Sequence, residues 1–374
     1  MARTSLLLLA AAMALTACTT SVTQAADTLC SIPPSSYTDA KKDYPELKSA
    51  LKKVEENSIA MWYSDRTTTR DAVSALNTLL DACSKSTRLS IVVYGLPNKD
   101  CSAGYSSGGG SVETSEDYVD FVTQLAQAVG DRKVLYVLEP DAVGLISDGG
   151  CAVESGYKAN LLLAIPILAA NANAEIYLDV GFWALTKPDT TKSVAQVVKE
   201  LGKAGRLKGI TLNTSNYQST AEIAKLCTTF QTAVESTDMH CIIDTSRNYE
   251  VAGANSTEWC NRKSAGIGKL PTDDTGFENL DYFVWIKTPG DSDGTCDGGD
   301  HSADAMEGPE AGKFFKNHFI KLWNQGYFVQ EKKQAKLDDP LAEIGKSGAV
   351  AANGQHSMLM NTASVLGLVF YSLL

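Results

Sequence analysis

The sequence predicts an α/β fold, a distorted, TIM-like parallel β/α barrel of about seven strands. Three observations carry that prediction. Short apolar runs rich in β-branched and aromatic residues alternate about seven times with stretches whose apolar residues recur at helical spacing, the mark of right-handed βαβ units on a parallel sheet. The strand runs are apolar almost throughout, so both faces of the sheet are covered. No long Ser/Thr/Pro linker divides residues 48 to 345 and no internal repeat is visible, which describes one domain.

Asp27 to Leu47 carries prolines and tyrosines without a strong period and reads as an arm laid over the body. Ser58 to Asp65 is the first strand. Thr67 to Ser84 is a helix, with Val73, Leu76, Leu79 and Leu80 on one face. Leu89 to Leu96 is the next strand, and Thr114 to Val129 a helix that Thr114 and Asp117 cap as a pair. Val134 to Leu138 is a buried strand that ends at Glu139-Pro140-Asp141, because proline has no N–H for a ladder and biases its predecessor. A long helix follows within Tyr157 to Ala172. Glu175–Gly181, Leu207–Asn213, His240–Ser246 and Tyr282–Thr288 are the remaining strands, interleaved with a helix at Ser193–Leu201 and one capped by Ser219 and Glu222. A last amphipathic helix, Pro309 to Gln325, buries Phe314, Phe315, Phe319, Leu322 and Trp323.

The 374 residues include 44% hydrophobic side chains and carry a formal net charge of -11. That sign argues against nucleic-acid or anionic-membrane partners and suits a protein acting on a neutral polymer. Residues 1 to 25 read as an export signal: Arg3 is the positive region, Leu6 to Leu15 the apolar one, and Thr23-Gln24-Ala25 the small-residue cleavage site. Leu15-Thr16-Ala17-Cys18 also fits a bacterial lipoprotein box, with Cys18 lipidated, and both readings stay open. Setting Cys18 apart from the 9 cysteines leaves an even set, as expected of paired cysteines in an exported chain. At the other end, residues 346–374 run from small residues through a polar spacer to the apolar Val365–Leu374, the order of a GPI-anchor signal. A terminal element docked on the core is the rival reading there.

Nearly every strand run ends in a polar or aromatic residue. The series is Trp62 and Asp65, Tyr94 and Asp100, Glu139 and Asp141, Asp179, Asn213 and Asn216, Asp244 and Arg247, then Lys287 with Asp291 and Asp293. The carboxyl ends of barrel strands are where catalytic groups stand. Seven such ends together describe a cleft lined by carboxylates, amides and aromatics. Crowded acids push one another's pKa values apart, so that one can serve as an acid and another as a base. Other chemistries fare worse. His240, His301, His318 and His356 are never paired at zinc spacing, and there is no GxSxG elbow, P-loop or dinucleotide fingerprint. Asp291-Ser-Asp-Gly-Thr-Cys296 has cysteine where a calcium loop needs glycine. No metal and no cofactor are expected.

Five segments together resemble a known family: Val92-Val-Tyr-Gly-Leu-Pro-Asn-Lys-Asp-Cys101, Leu138-Glu-Pro-Asp141, Tyr177-Leu-Asp-Val-Gly181, Glu258-Trp-Cys-Asn261 and Trp285-Ile-Lys-Thr-Pro-Gly-Asp-Ser-Asp-Gly294. Present in this order over Ser58 to Phe328, they resemble glycoside hydrolase family 6, the inverting cellulases that cut β-1,4-glucan. The resemblance makes residues 26–345 a glycoside hydrolase catalytic domain and implies roles. Asp141 is the general acid, Asp100 supports it and relays a proton from water, Asp293 holds the position proposed for the base, and Asp179 orients the acid. Tyr94 lies beneath the distorted sugar, Trp62 and Trp259 stack on neighbouring glucose units, and Lys287 and Asp291 bind sugar, with Asn216, from its strand-end position, as a further sugar-binding candidate. Cys101 pairs with Cys151 and Cys260 with Cys296. The pairing of Cys30, Cys83, Cys227 and Cys241 stays open, with Cys30–Cys83 and Cys227–Cys241 as one arrangement.

Residues outside these roles are expected to be structural: Trp285 and Trp323 in the core, Asp65, Asp148 and Asp297 as solvated loop acids, and Asp244 paired with Arg247. The chain departs from the family pattern at Phe182, where histidine is usual, at Leu185, where an aromatic is usual and Trp183 is the substitute, and at Lys99, where arginine is usual. Both loops enclosed by the implied disulfides are short, which implies an open cleft and internal cutting of β-1,4-glucan by a secreted or surface-held monomer. A chain-end-acting cellobiohydrolase and a catalytically weak glucan-binding surface protein are the alternatives.

Overall fold

The structure, a computed structural model, describes residues 27–339 apart from 67–68, 108–109, 252–256 and 299–300. Residues 1–25, read as an export signal, Cys18 and the 346–374 tail lie outside these residues. Eight strands form one parallel sheet: β1 Leu29–Cys30, β2 Met61–Ser64, β3 Arg88–Tyr94, β4 Val134–Leu138, β5 Ala174–Asp179, β6 Gly209–Leu212, β7 His240–Asp244 and β8 Leu280–Val284. From β3 to β8 they neighbour one another in chain order, as successive βαβ units require. β1 pairs the start of β3 and β2 pairs its end, so the two short strands serve β3 in succession. The ring is joined between β2 and β8 by the parallel bridge Ile59↔Trp285, where Ala60 N–H donates to Trp285 O at 2.8 Å. This thin closure is the distortion of the barrel.

Successive strand residues face opposite sides. Val92, Leu135, Val137, Tyr177, Ile242 and Val284 pack together as the barrel interior. Their neighbours Ile91, Val93, Tyr136, Leu138, Ile176 and Leu178 pack outward in the layer shared with the helices. Two residues beyond an interior position, at the carboxyl ends, β3 reaches Tyr94, β5 reaches Asp179 and β7 reaches Asp244. Chemistry thus replaces apolar packing at one end of the barrel.

The helices Thr69–Ala82, Ser115–Val129, Tyr157–Ala169, Pro188–Leu201 and Thr220–Val234 return the chain between strands. Thr114 and Asp117 form the reciprocal cap expected of them, and the Ser219 side chain accepts from Glu222 N–H. Helix Pro188–Leu201 begins earlier than its apolar period suggests, because a proline at the first helical position is well tolerated. The last long helix, Lys316–Gln325, begins later than Pro309, since Ser292 and Gly290 hold the preceding backbone at Lys313, Gly312 and Phe315. Among the described residues, no helix joins β7 to β8.

The N-terminal arm is more ordered than its sequence suggests, with helix Ser35–Asp43 and, directly beyond Leu47, helix Lys48–Glu55. Tyr37, Ala40, Leu47, Leu51 and Val54 pack with Trp285, Phe319, Leu322 and Trp323 into a second core, which also holds Ile59. The arm and the last helix therefore cover the thin seam of the ring. Trp285 and Trp323 are core residues, as expected. Four disulfides are present: Cys101–Cys151 and Cys260–Cys296 as implied by the resemblance, and Cys30–Cys83 and Cys227–Cys241.

Candidate active site

Beyond β4, Ala142 N–H donates to Glu139 O at 3.0 Å and closes a four-residue turn. Pro140 takes its second position and Asp141 its third, with φ 68° and ψ -11°. This is the form of a type II turn, whose third position ordinarily demands glycine. Asp141 is held in a conformation that side chains rarely adopt, directly before helix Ala142–Asp148. Glu139 is also left-handed, at φ 53°.

Asp179, at the end of β5, is buried and receives Asp141 N–H at 2.8 Å on one oxygen and the Thr214 hydroxyl on the other. Burial raises its pKa even so. Burial, then the charges of Asp179 and Asp100, push the Asp141 carboxyl well above the ordinary range. The donors converge on Asp179, so when the two acids share one proton, Asp141 is the one to carry it. Asp100 (φ 56°) accepts from Ser106 N–H, and burial raises its pKa.

Asp293 lives in the opposite environment. Its carboxylate accepts from Tyr217 Oη at 2.9 Å, Arg247 Nη1 at 2.8 Å and Asn261 N–H at 2.9 Å, with Lys287 Nζ at 3.1 Å. Burial opposes the charge, but the Arg247 and Lys287 cations outweigh it and hold the pKa well below the usual carboxylate value. Arg247 is itself fully buried and stacked on the Tyr217 ring, 4.3 Å from its centroid. Neutral-leaning acids therefore stand at the β3, β4 and β5 exits, and a fixed anion stands beyond β8.

A model of the glycosyl hydrolases family 6 matches residues 31–326, most of the chain. The chain belongs to this family. Endoglucanase A of Thermobispora bispora is 32% identical over 208 residues, 54% of this chain and 43% of that protein. A probable 1,4-beta-D-glucan cellobiohydrolase C of Aspergillus niger is 30% identical over 272 residues, 62% of this chain and 59% of that one. The chain thus spans about half the length of these relatives. A solved family 6 enzyme of Orpinomyces sp. Y102 superposes with a TM-score of 0.68 at 27% identity, covering 80% of this chain and 97% of that one.

The other family 6 positions fall as follows. Trp62 is edge-on to Tyr94 (5.4 Å between centroids), and its Nε1 donates to Ile286 O at 2.8 Å. Burial, then Asp100 and Asp141, raise the Tyr94 phenol, which stays un-ionised. Trp259 is 39% exposed and flanked by Tyr105 and His301, leaving ring surface for a ligand. Asn216 Nδ2 is bonded to Thr214 O at 3.0 Å in the turn after β6. Lys287 Nζ donates to Ser292 O at 2.9 Å besides meeting Asp293. Asp291 is buried against the arm, accepting from Ser36 Oγ at 3.1 Å, and burial pushes its pKa up to about 7.

Two expectations are corrected. Asp65 is not a solvated acid: it is 1% exposed and ion-paired with the equally buried Lys99. Lys99 lies at the β3 exit, within reach of the strand end that carries Asp65. Arg247 bonds Asp293 rather than Asp244, whose oxygens are filled by the backbone N–H groups of Ser215, Ser246, Ile286 and Lys287. Asp148 and Asp297 are exposed, as expected, although Asp148 accepts from Trp183 Nε1 at 2.8 Å. Sequence reasoning gave no role to Thr214, Tyr217 or Asn261. Their signal was position alone, in the segments after β6 and around Trp259.

Proposed function

We propose that the chain hydrolyses internal β-1,4-glucosidic bonds of cellulose or a related β-glucan with inversion. The observation that carries this reading is the place of the Asp141 carboxyl, in a turn anchored to Asp179, where burial and the acidic neighbours Asp179 and Asp100 raise its pKa. Asp141 would protonate the leaving glycosidic oxygen while a water attacks the opposite face of the sugar. Inverting enzymes keep their two carboxyls roughly 6.5–9.5 Å apart to admit that water. Asp100, whose pKa is raised, accepts the water's proton more readily than Asp293, which is stabilised as an anion. Asp293 would instead stabilise positive charge developing on the sugar ring. Trp62, Tyr94 and Trp259 would bind glucose rings, with Asn216, Lys287 and Asp291 at the hydroxyls.

A chain-end mode is the second reading. The loop beyond β3 meets the loop beyond β8: the Tyr105 ring lies against Gly294, and its hydroxyl is 3.5 Å from His301 Nε2. Such contact favours a covered cleft. The four disulfides suit an exported protein, acting as a monomer and released or held at the surface by a lipid anchor. Among the described residues no helix is long and apolar enough to cross a membrane.

The test compares viscosity loss with reducing-end release on carboxymethyl cellulose for the wild type and Asp141→Asn. A rapid viscosity drop that the variant loses by about 100-fold or more is the expected result. Sugar release without that drop gives the chain-end mode. Glucan binding without hydrolysis gives a binding protein.

A further inference from the structure

Glu139 is fully buried. Its Oε1 accepts from Gly95 N–H at 2.9 Å and from Tyr118 Oη at 2.9 Å, and its Oε2 accepts from Leu96 N–H at 3.3 Å. Gly95 follows directly on Tyr94 and opens the segment that leads to Asp100. Tyr118 belongs to helix Ser115–Val129. Through its own carbonyl, Glu139 also closes the turn whose third residue is Asp141. One side chain thus ties the β3 exit, the β4 exit and a helix of the outer layer. The β3 exit fits tightly: a Cβ on Gly95 would lie 2.4 Å from the Phe121 ring, so that strand end has nowhere else to go.

Left-handed conformations at non-glycine residues persist only where their surroundings over-determine them. The turn has two, Glu139 and Asp141, on either side of a proline that donates nothing. The Asp141–Asp179 bond fixes one end of the turn; at the other, Glu139 N–H donates to Val93 O at 2.9 Å and the Glu139 carboxylate adds the bonds from the β3 exit and Tyr118.

We propose that Glu139 is a positioning residue, which anchors the strained turn to the β3 exit and to Tyr118 so that the Asp141 carboxyl meets the leaving oxygen. The inference rests on the reading of Asp141 as the general acid. Asp141 needs accurate placement only when the leaving group must be protonated. A displaced acid therefore slows glucan cleavage, whereas a 2,4-dinitrophenyl β-cellobioside, whose leaving group departs unprotonated, is cleaved almost as before.

Glu139→Ala and Glu139→Gln are compared with wild type and Asp141→Asn on both substrates, with melting temperatures alongside. Glutamine keeps an oxygen for Gly95 and Tyr118 but presents its NH₂ toward Leu96 N–H, so it guards against a fold lost in the alanine variant. The expected result is a fall of kcat on soluble glucan by about 100-fold for alanine, and a smaller fall for glutamine. KM stays within about threefold, and the loss on the dinitrophenyl substrate is under about tenfold. Equal losses on both substrates, or a change in KM alone, would overturn the proposal and leave Glu139 a purely structural residue. If Asp141→Asn itself shows no dependence on the leaving group, the acid assignment fails, and this inference with it.

Discussion

At the scale of single residues, the site works by giving chemically identical carboxyls different surroundings. Among the described residues, Asp141 has no cation paired with it, and Asp293 has two. Arg247 lowers the Asp293 pKa more than Lys287 does, because it is fully buried and its Nη1 bonds Asp293 at 2.8 Å. Arg247→Met should therefore raise the Asp293 pKa. The charge of Asp293 exists above its folded-state pKa, so raising that pKa removes the charge at a less acid pH as pH falls. The acid limb of kcat/KM should move upward by about one pH unit or more, the scale of a lost close counter-ion. A profile from pH 3 to 8 on soluble glucan checks this, and an unmoved acid limb would show that Asp293 keeps its charge above pH 3 without Arg247 or that turnover does not use that charge. The true partner of Arg247 was not legible in the sequence. Asp244 stands three residues away, and only the folded ring brings Asp293 to the guanidinium. The positions of Asp100, Asp141, Asp179 and Asp293 beyond the strands were legible, because strand ends and short motifs carry them. Glu139 was visible, but its role depends on backbone N–H groups that no sequence displays.

At the scale of elements, all seven expected strand runs overlap observed strands, from β2 to β8, since continuous apolar runs are hard to mistake when helices separate them. The arm was illegible for the converse reason. Its helices are short, and packing on Trp285 and Phe319 stabilises them rather than propensity, although Leu47, Ala50, Leu51 and Val54 do recur at helical spacing. Strand β6 offers a direct test of how closely the ring is packed. A Cβ on Gly209 would fall 1.9 Å from His240 O and 3.2 Å from the Tyr177 ring. A backbone carbonyl in a paired strand cannot swing aside, so Gly209→Ala should destabilise by about 1–3 kcal/mol or more, the range of overpacked cores. Gly202, at the end of helix Pro188–Leu201, has φ -63° and no neighbour nearer than 3.3 Å. Gly202→Ala should be neutral or stabilising by up to about 1 kcal/mol. Thermal melts of the pair measure the contrast, and equal effects would refute the crowding of β6.

At the scale of the whole molecule, the acids that shape the cleft also set how stability follows pH. Burial raises Asp100, Asp141, Glu175, Asp179 and Asp244, pushes Asp291 up to about 7 and Glu139 to about 8. Between the ordinary carboxyl range and these values the unfolded chain has released protons that the folded chain keeps. Stability falls with rising pH wherever the folded state binds more protons. The net charge of -11 adds self-repulsion in the same direction. Opposing this, His318 is buried, its pKa is lowered to about 3, and it costs stability as pH falls below about 6.5, its ordinary value. Asp293 and Asp27, both lowered by cationic partners, lose their contribution only in stronger acid. The raised carboxyls outnumber the one histidine, so the melting temperature should climb as pH drops from 8 to about 5 and turn down below about 4, where the lowered acids protonate. Calorimetry across pH 3 to 9 measures the curve, and Glu139→Gln should flatten its alkaline side. A melting temperature that instead rises toward pH 8 would mean the buried acids are ionised in the fold, and would remove the basis for a protonated Asp141.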